Sequence, residues 1–96
     1  MNSISDIRTA LGNHRNRLFQ EYPIKSMAIF GSYSRGENTG ESDLDVLVEF
    51  NEKIGIRFID LADEIEEIVG LKVDLVSRNG VKDGYLKAIN PDLIYV

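Results

Sequence analysis

Ile4, Ile7, Leu11, His14 and Leu18 recur at three- and four-residue intervals, the spacing of one helix face. Ser3 with Asp6 reads as a capping-box-like start, and Pro23 limits the helix just after Tyr22. The pattern then changes period. Residues 26–30 (SMAIF) are a short apolar run ending at Gly31, which predicts a buried strand. Residues 33–42 are polar with two glycines and predict a loop, and residues 44–50 (LDVLVEF) alternate loosely as a second strand. From Ile56 to Val69, the apolar Phe58, Leu61, Ala62, Ile65, Ile68 and Val69 mark one face of a helix. Asp60, Asp63, Glu64, Glu66 and Glu67 mark the other face, and Gly70 is a natural stop. Residues 72–76 (KVDLV) read as a third strand, followed by a short helix near 81–89 and a terminal LIYV strand. The order α-β-β-α-β-α-β predicts an α/β (α+β) fold, a small mixed sheet flanked by helices.

Composition narrows the functional classes. Ninety-six residues suit a single domain spanning 1–96, and a chain of that size buries only roughly 60–65% of its unfolded surface. An apolar fraction of 43% with 28% charged residues is ordinary for a soluble globular protein. No apolar stretch approaches the roughly 18 residues of a membrane span, and no signal-peptide core precedes the first helix. The chain has no cysteine, which excludes thiolate chemistry and fits a cytoplasmic setting. A net charge of −5 argues against broad binding to nucleic-acid phosphates. A metal ion or a cationic partner suits such a chain better.

The candidate chemistry lies at the mouth of the second strand. Residues two apart in a strand share a face, so Asp43 and Asp45 project together while Leu44, Val46, Val48 and Phe50 point into the core. Asp74 in the third strand is likewise flanked by core-type Val73 and Leu75. If these strands are neighbours, three carboxylates meet on one patch of sheet. Two of them a few ångströms apart repel by about 4 kcal/mol at an effective dielectric of 20. A divalent cation removes that penalty, and oxygen-only ligands select a hard ion, Mg²⁺ or Mn²⁺. Gly31 and Ser32, where the first strand ends, add a place for backbone and hydroxyl to approach a phosphate. Carboxylates, metal and phosphate cradle together point to phosphoryl or nucleotidyl transfer.

The string GSYSRGENTGESDLDVLVEF, with KVDLV downstream, resembles the minimal nucleotidyltransferases of the DNA polymerase β-type superfamily. These are encoded beside HEPN-domain proteins in prokaryotic toxin–antitoxin modules. The resemblance runs from about Ser26 to the C-terminus and rests on G-S, D-x-D ten residues later, and a third Asp in a later strand. It implies a nucleotidyltransferase fold in which Gly31 and Ser32 bind the nucleotide triphosphate. It also implies that Asp43 and Asp45 ligate Mg²⁺, and that Asp74 ligates metal or acts as base. The implied function is Mg²⁺-dependent transfer of AMP from ATP to a tyrosine of a HEPN ribonuclease toxin. Two alternatives stand beside it. One is an antitoxin that masks its toxin by contact alone. The other is transfer to a small molecule or RNA end, which fits less well because such enzymes hold the acceptor with an added domain.

Other residues carry less. Arg35 either contacts phosphate or ties its loop to Glu37 or Glu41. His14 lies on an apolar stripe and reads as a partly buried packing residue, as do Tyr85 and Tyr95. The acidic face of the 56–69 helix reads as solvated, or as a docking surface for a basic partner.

Overall fold

Ser3 opens α1 (Ile4–Glu21) by accepting the Asp6 N–H on its hydroxyl at 3.1 Å, the cap expected from the sequence. The helix buries Ile7, Leu11 and Leu18 and ends before Pro23. The structure is a computed structural model describing residues 3–96. After α1 come β1 (Ile24–Phe30), α2 (Ser32–Arg35), β2 (Leu44–Phe50), α3 (Arg57–Val69), β3 (Val73–Ser77), α4 (Asp83–Ile89) and β4 (Ile94–Tyr95). Short 3₁₀ turns at Arg78–Gly80 and Asn90–Asp92 flank α4.

The strands form one mixed sheet in the order β3-β2-β1-β4. β2 runs antiparallel to β1, and β4 also runs antiparallel to β1. β3 is parallel to β2, so the chain crosses over through α3, as a parallel connection requires. This is the mixed sheet with flanking helices that the sequence predicts. Besides the two 3₁₀ turns, the difference in element count lies in the 33–42 segment. Its first residues are not loop but belong to the helical turn α2, with the polar loop following Arg35.

The two faces of the sheet have different fates. Met27, Ile29, Leu44, Val46, Val48, Phe50 and Val73 join Ile7, Leu11, Leu18, Leu61, Ile65 and Val69 in the hydrophobic core. Each such buried side chain contributes about 1.5–3 kcal/mol relative to exposure. His14 is half-buried on α1, its Nδ1 2.9 Å from the Ala10 carbonyl, in keeping with a packing role. The opposite face presents Ala28, Phe30 and Leu47 with Asp45 and Asp74. The core therefore holds α1 and α3 on one side and leaves the carboxylates on the other. Among the described residues no helix is long and apolar enough to cross a membrane.

Candidate active site

Backbone pairing positions the aspartates. In the parallel β2–β3 register, Asp45 stands directly opposite Asp74. In the antiparallel β1–β2 register, Asp45 stands directly opposite Phe30. Directly paired residues point to the same face. Phe30, Asp45 and Asp74 therefore form one row across three strands. The Leu44 N–H donates to the Lys72 carbonyl at 2.9 Å, which fixes the start of β2, and Asp43 just before it, against the start of β3. The Val73 N–H in turn donates to Glu66 of α3 at 3.0 Å.

The three carboxylates are not equivalent. Asp43 and Asp74 are exposed, whereas Asp45 is half-buried. Burial holds the Asp45 carboxyl above the usual carboxylate range, and the charges of Asp74 and Asp43 push it further the same way. Arg35 pulls it back in part. Among the described residues, no three His, Cys, Asp or Glu side chains are drawn into a preformed metal cage. An oxygen-only set with one half-buried member under like-charge stress fits a hard cation that takes the rest of its shell from water and phosphate.

Gly31 is fitted to Asp45 in two ways. Its backbone sits at φ 76°, ψ −150°, a region open essentially to glycine alone. A Cβ placed on it would also lie 2.1 Å from Asp45 Oδ2. Ser32 follows at the start of α2, where the first N–H groups of a helical turn lack acceptors within the turn. The turn is held from outside. Tyr33 is buried in the core, and Ser34 donates its hydroxyl to the Asp92 carbonyl. Arg35 pairs with Asp92 at 2.8 Å and with Glu37 at 2.9 Å. Of the two loop partners the sequence offers Arg35, the structure takes Glu37.

Two placements beside the site escape the sequence reading. Asp92 anchors α2 from the far end of the chain. Tyr85 is the other: its ring stands edge-on to Phe30, centroids 6.3 Å apart at 88°, so it lies on the aspartate face. Burial raises its phenol above the ordinary value, and the charges of Asp45 and Asp74 raise it further. It packs as expected, but it is also 42% exposed and borders the carboxylates. Tyr95 is 52% exposed on the edge strand. The groove lined by Phe50, Asn51, Ile54, Ser77 and Asn79 is at the opposite end of β2 and β3 from the aspartates. The exposed Asp43 and Asp74 thus lie away from that groove.

Comparison with known proteins agrees with this geometry. A family model described as a nucleotidyltransferase domain matches residues 11–94. A Methanocaldococcus jannaschii protein, named provisionally as a protein adenylyltransferase, is 46% identical over 98 residues covering all of both chains. The protein adenylyltransferase MntA of Thermococcus cleftensis is 35% identical over 97 residues, covering 100% of this chain and 98% of that one. A solved structure described provisionally as a minimal nucleotidyltransferase superposes with a TM-score of 0.75 at 28% identity, covering 94% of this chain and 95% of the other. The complex of a tri-AMPylated Shewanella oneidensis HEPN toxin with an MNT antitoxin gives a TM-score of 0.66 at 18% identity. That match covers 93% of this chain and 70% of that one, and it is a likeness of fold. The chain is thus an enzyme and a member of the nucleotidyltransferase family.

Proposed function

We propose that this protein transfers AMP from ATP to a tyrosine hydroxyl of a HEPN-domain toxin and serves as the antitoxin of that pair. The observation that carries the reading is the pairing of Asp45 with Asp74, next to a Gly31 whose missing side chain leaves room for the Asp45 carboxylate. The names of the full-length relatives support protein as the acceptor. The likeness to an antitoxin solved with its AMPylated HEPN toxin supports the partner class.

In this reading Gly31 and Ser32 receive the triphosphate, the serine hydroxyl and nearby N–H groups facing its oxygens. Arg35, at the end of the same turn, adds positive charge on the phosphate side. Asp43, Asp45 and Asp74 would hold Mg²⁺, or Mn²⁺ in its place. When bound, the metal offsets the charge that builds on the transferring phosphoryl group and on the pyrophosphate. Asp74, the more exposed partner of the register pair, serves either as a ligand of that metal or as the base that takes the proton of the incoming hydroxyl. The acceptor approaches an open face, so its own surface supplies the missing wall. Fixing two reactants in place can be worth about 7–11 kcal/mol of barrier, and here docking of a protein provides that fixing.

The test is intact-mass spectrometry and peptide mapping of a cognate HEPN-domain toxin, after incubation with ATP, Mg²⁺ and the purified protein. A gain of one or more AMP residues on tyrosine is expected. A toxin that is inhibited yet unmodified would overturn transfer in favour of masking by contact.

A further inference from the structure

Tyr85 is left unexplained by the transfer to a partner. Its ring stands edge-on to Phe30, and Phe30 is the register partner of Asp45, so the phenol lies on the same sheet face as both paired aspartates. It is 42% exposed, and α4, which carries it, buries no residue completely. The other tyrosines are placed differently. Tyr22 is buried and donates its hydroxyl to Glu64 on the helical side, and Tyr33 is buried in the core. Tyr95, the register partner of Ala28, shares this face but is on β4, with β1 between it and Asp45. Tyr85 therefore presents, inside the enzyme's own chain, the chemical group that the proposed reaction uses as acceptor.

We propose that Tyr85 is a site of self-adenylylation, accepting one AMP from ATP bound at Gly31 and Ser32 in the same molecule. The inference rests on the nucleotidyltransfer reading above. In the step, the Tyr85 hydroxyl oxygen forms a bond to the α-phosphorus, and the bond from that phosphorus to the bridging oxygen breaks. Pyrophosphate leaves with the electron pair, and the phenolic proton passes to Asp74 and on to solvent. No oxidant or further reactant is needed. The advantage of Tyr85 is position: a tethered acceptor meets the bound nucleotide at an effective concentration that free acceptors do not reach. The event is self-limiting, since Tyr85 offers a single hydroxyl.

The purified full chain, without any partner, is incubated with ATP and Mg²⁺ and read by intact-mass spectrometry and peptide mapping. One AMP residue per chain is expected, on the peptide containing Tyr85, with a fractional rate independent of protein concentration. Tyr85→Phe keeps the ring against Phe30 and should lose the label. A second readout needs no catalysis: an adenosine bearing a sulfonyl fluoride, added without metal, should label Tyr85 and be blocked by excess ATP. An unlabelled wild type, a label on another residue, an undiminished label in Tyr85→Phe, or a Tyr85 untouched by the reactive adenosine each overturns the proposal. A chain that labels the toxin but never itself defeats only this inference. A chain that labels itself but not the toxin defeats only the partner reading.

Discussion

A side-chain carbon on Gly31 would lie 2.1 Å from Asp45 Oδ2, closer than any real contact. The end of β1 is therefore glycine because the middle strand needs that volume for a carboxylate. The relation couples the turn after β1, where we propose the phosphates sit, to the acidic side.

Gly31→Ala should consequently cost both stability and activity. The backbone strain alone is of order 1–3 kcal/mol, and the methyl must also displace Asp45. Gly36→Ala is the control: φ is also positive, at 71°, but nothing lies within 4 Å of the added carbon. It should cost about 1 kcal/mol and leave transfer intact. Thermal melts and toxin labelling on both variants check this, and equal loss of labelling in the two would refute the coupling.

Asp45 is held under stress by burial and by its two acidic neighbours. Neutralising it should therefore be harmless or favourable to the metal-free fold, while the response to ligand disappears. Mg²⁺ with ATP is expected to raise the melting temperature of the wild type. In the double variant Asp43→Asn, Asp45→Asn, that shift should vanish from a baseline no lower than the wild type's. A retained shift would remove these residues from the metal site.

The strands that carry the aspartates could be read without coordinates, for identifiable reasons. The face shared by Asp45 and Asp74 follows from strand alternation, and the LDVLVEF and KVDLV runs are apolar enough to place both strands in a buried sheet. What stayed hidden depends on partners distant in the chain. α2 is a single turn with almost no stability of its own. It forms because Tyr33 reaches the core and the Ser34 hydroxyl donates to the Asp92 carbonyl. Tyr85 reads as packing because its helical signal is weak and its neighbour Phe30 lies in the first strand. No local pattern reveals either contact.

On the other side of the molecule, Glu64 of α3 accepts hydrogen bonds from Tyr22 and, at 2.7 Å, from Arg17. So part of the acidic face that could be taken as simply solvated is tied to α1. The Tyr22 hydroxyl chiefly, and Arg17 after it, hold the Glu64 carboxyl below its ordinary value. A depressed carboxylate contributes stability that is present above the unfolded pKa, about 4.3. That contribution is lost as pH falls through the lower folded value. Glu64→Gln should flatten the acid limb of stability between about pH 5 and 3, and because Arg17 is half-exposed the loss at neutral pH should be about 1 kcal/mol or less. Urea melts at pH 7, 5 and 3 measure both, and an acid limb identical to the wild type's would contradict the assignment.

Arg35 separates a structural tie from a substrate contact. Its guanidinium bridges Glu37 and Asp92, yet its own side chain is 43% exposed, so both ion pairs are screened and together hold little of the fold. If anchoring were its whole purpose, Arg35→Ala and Asp92→Ala would behave alike. The proposed phosphate contact predicts that they diverge. A hydrogen bond to a charged group is worth about 1.5–3 kcal/mol, so Arg35→Ala should weaken ATP binding roughly 10- to 100-fold with only a small drop in melting temperature. Asp92→Ala frees the guanidinium from a competing carboxylate and should leave ATP affinity unchanged or improved. Calorimetric titration with ATP and Mg²⁺ on the two variants decides between the roles. Matching affinities in both would reduce Arg35 to a tie between α2 and the Asn90–Asp92 turn.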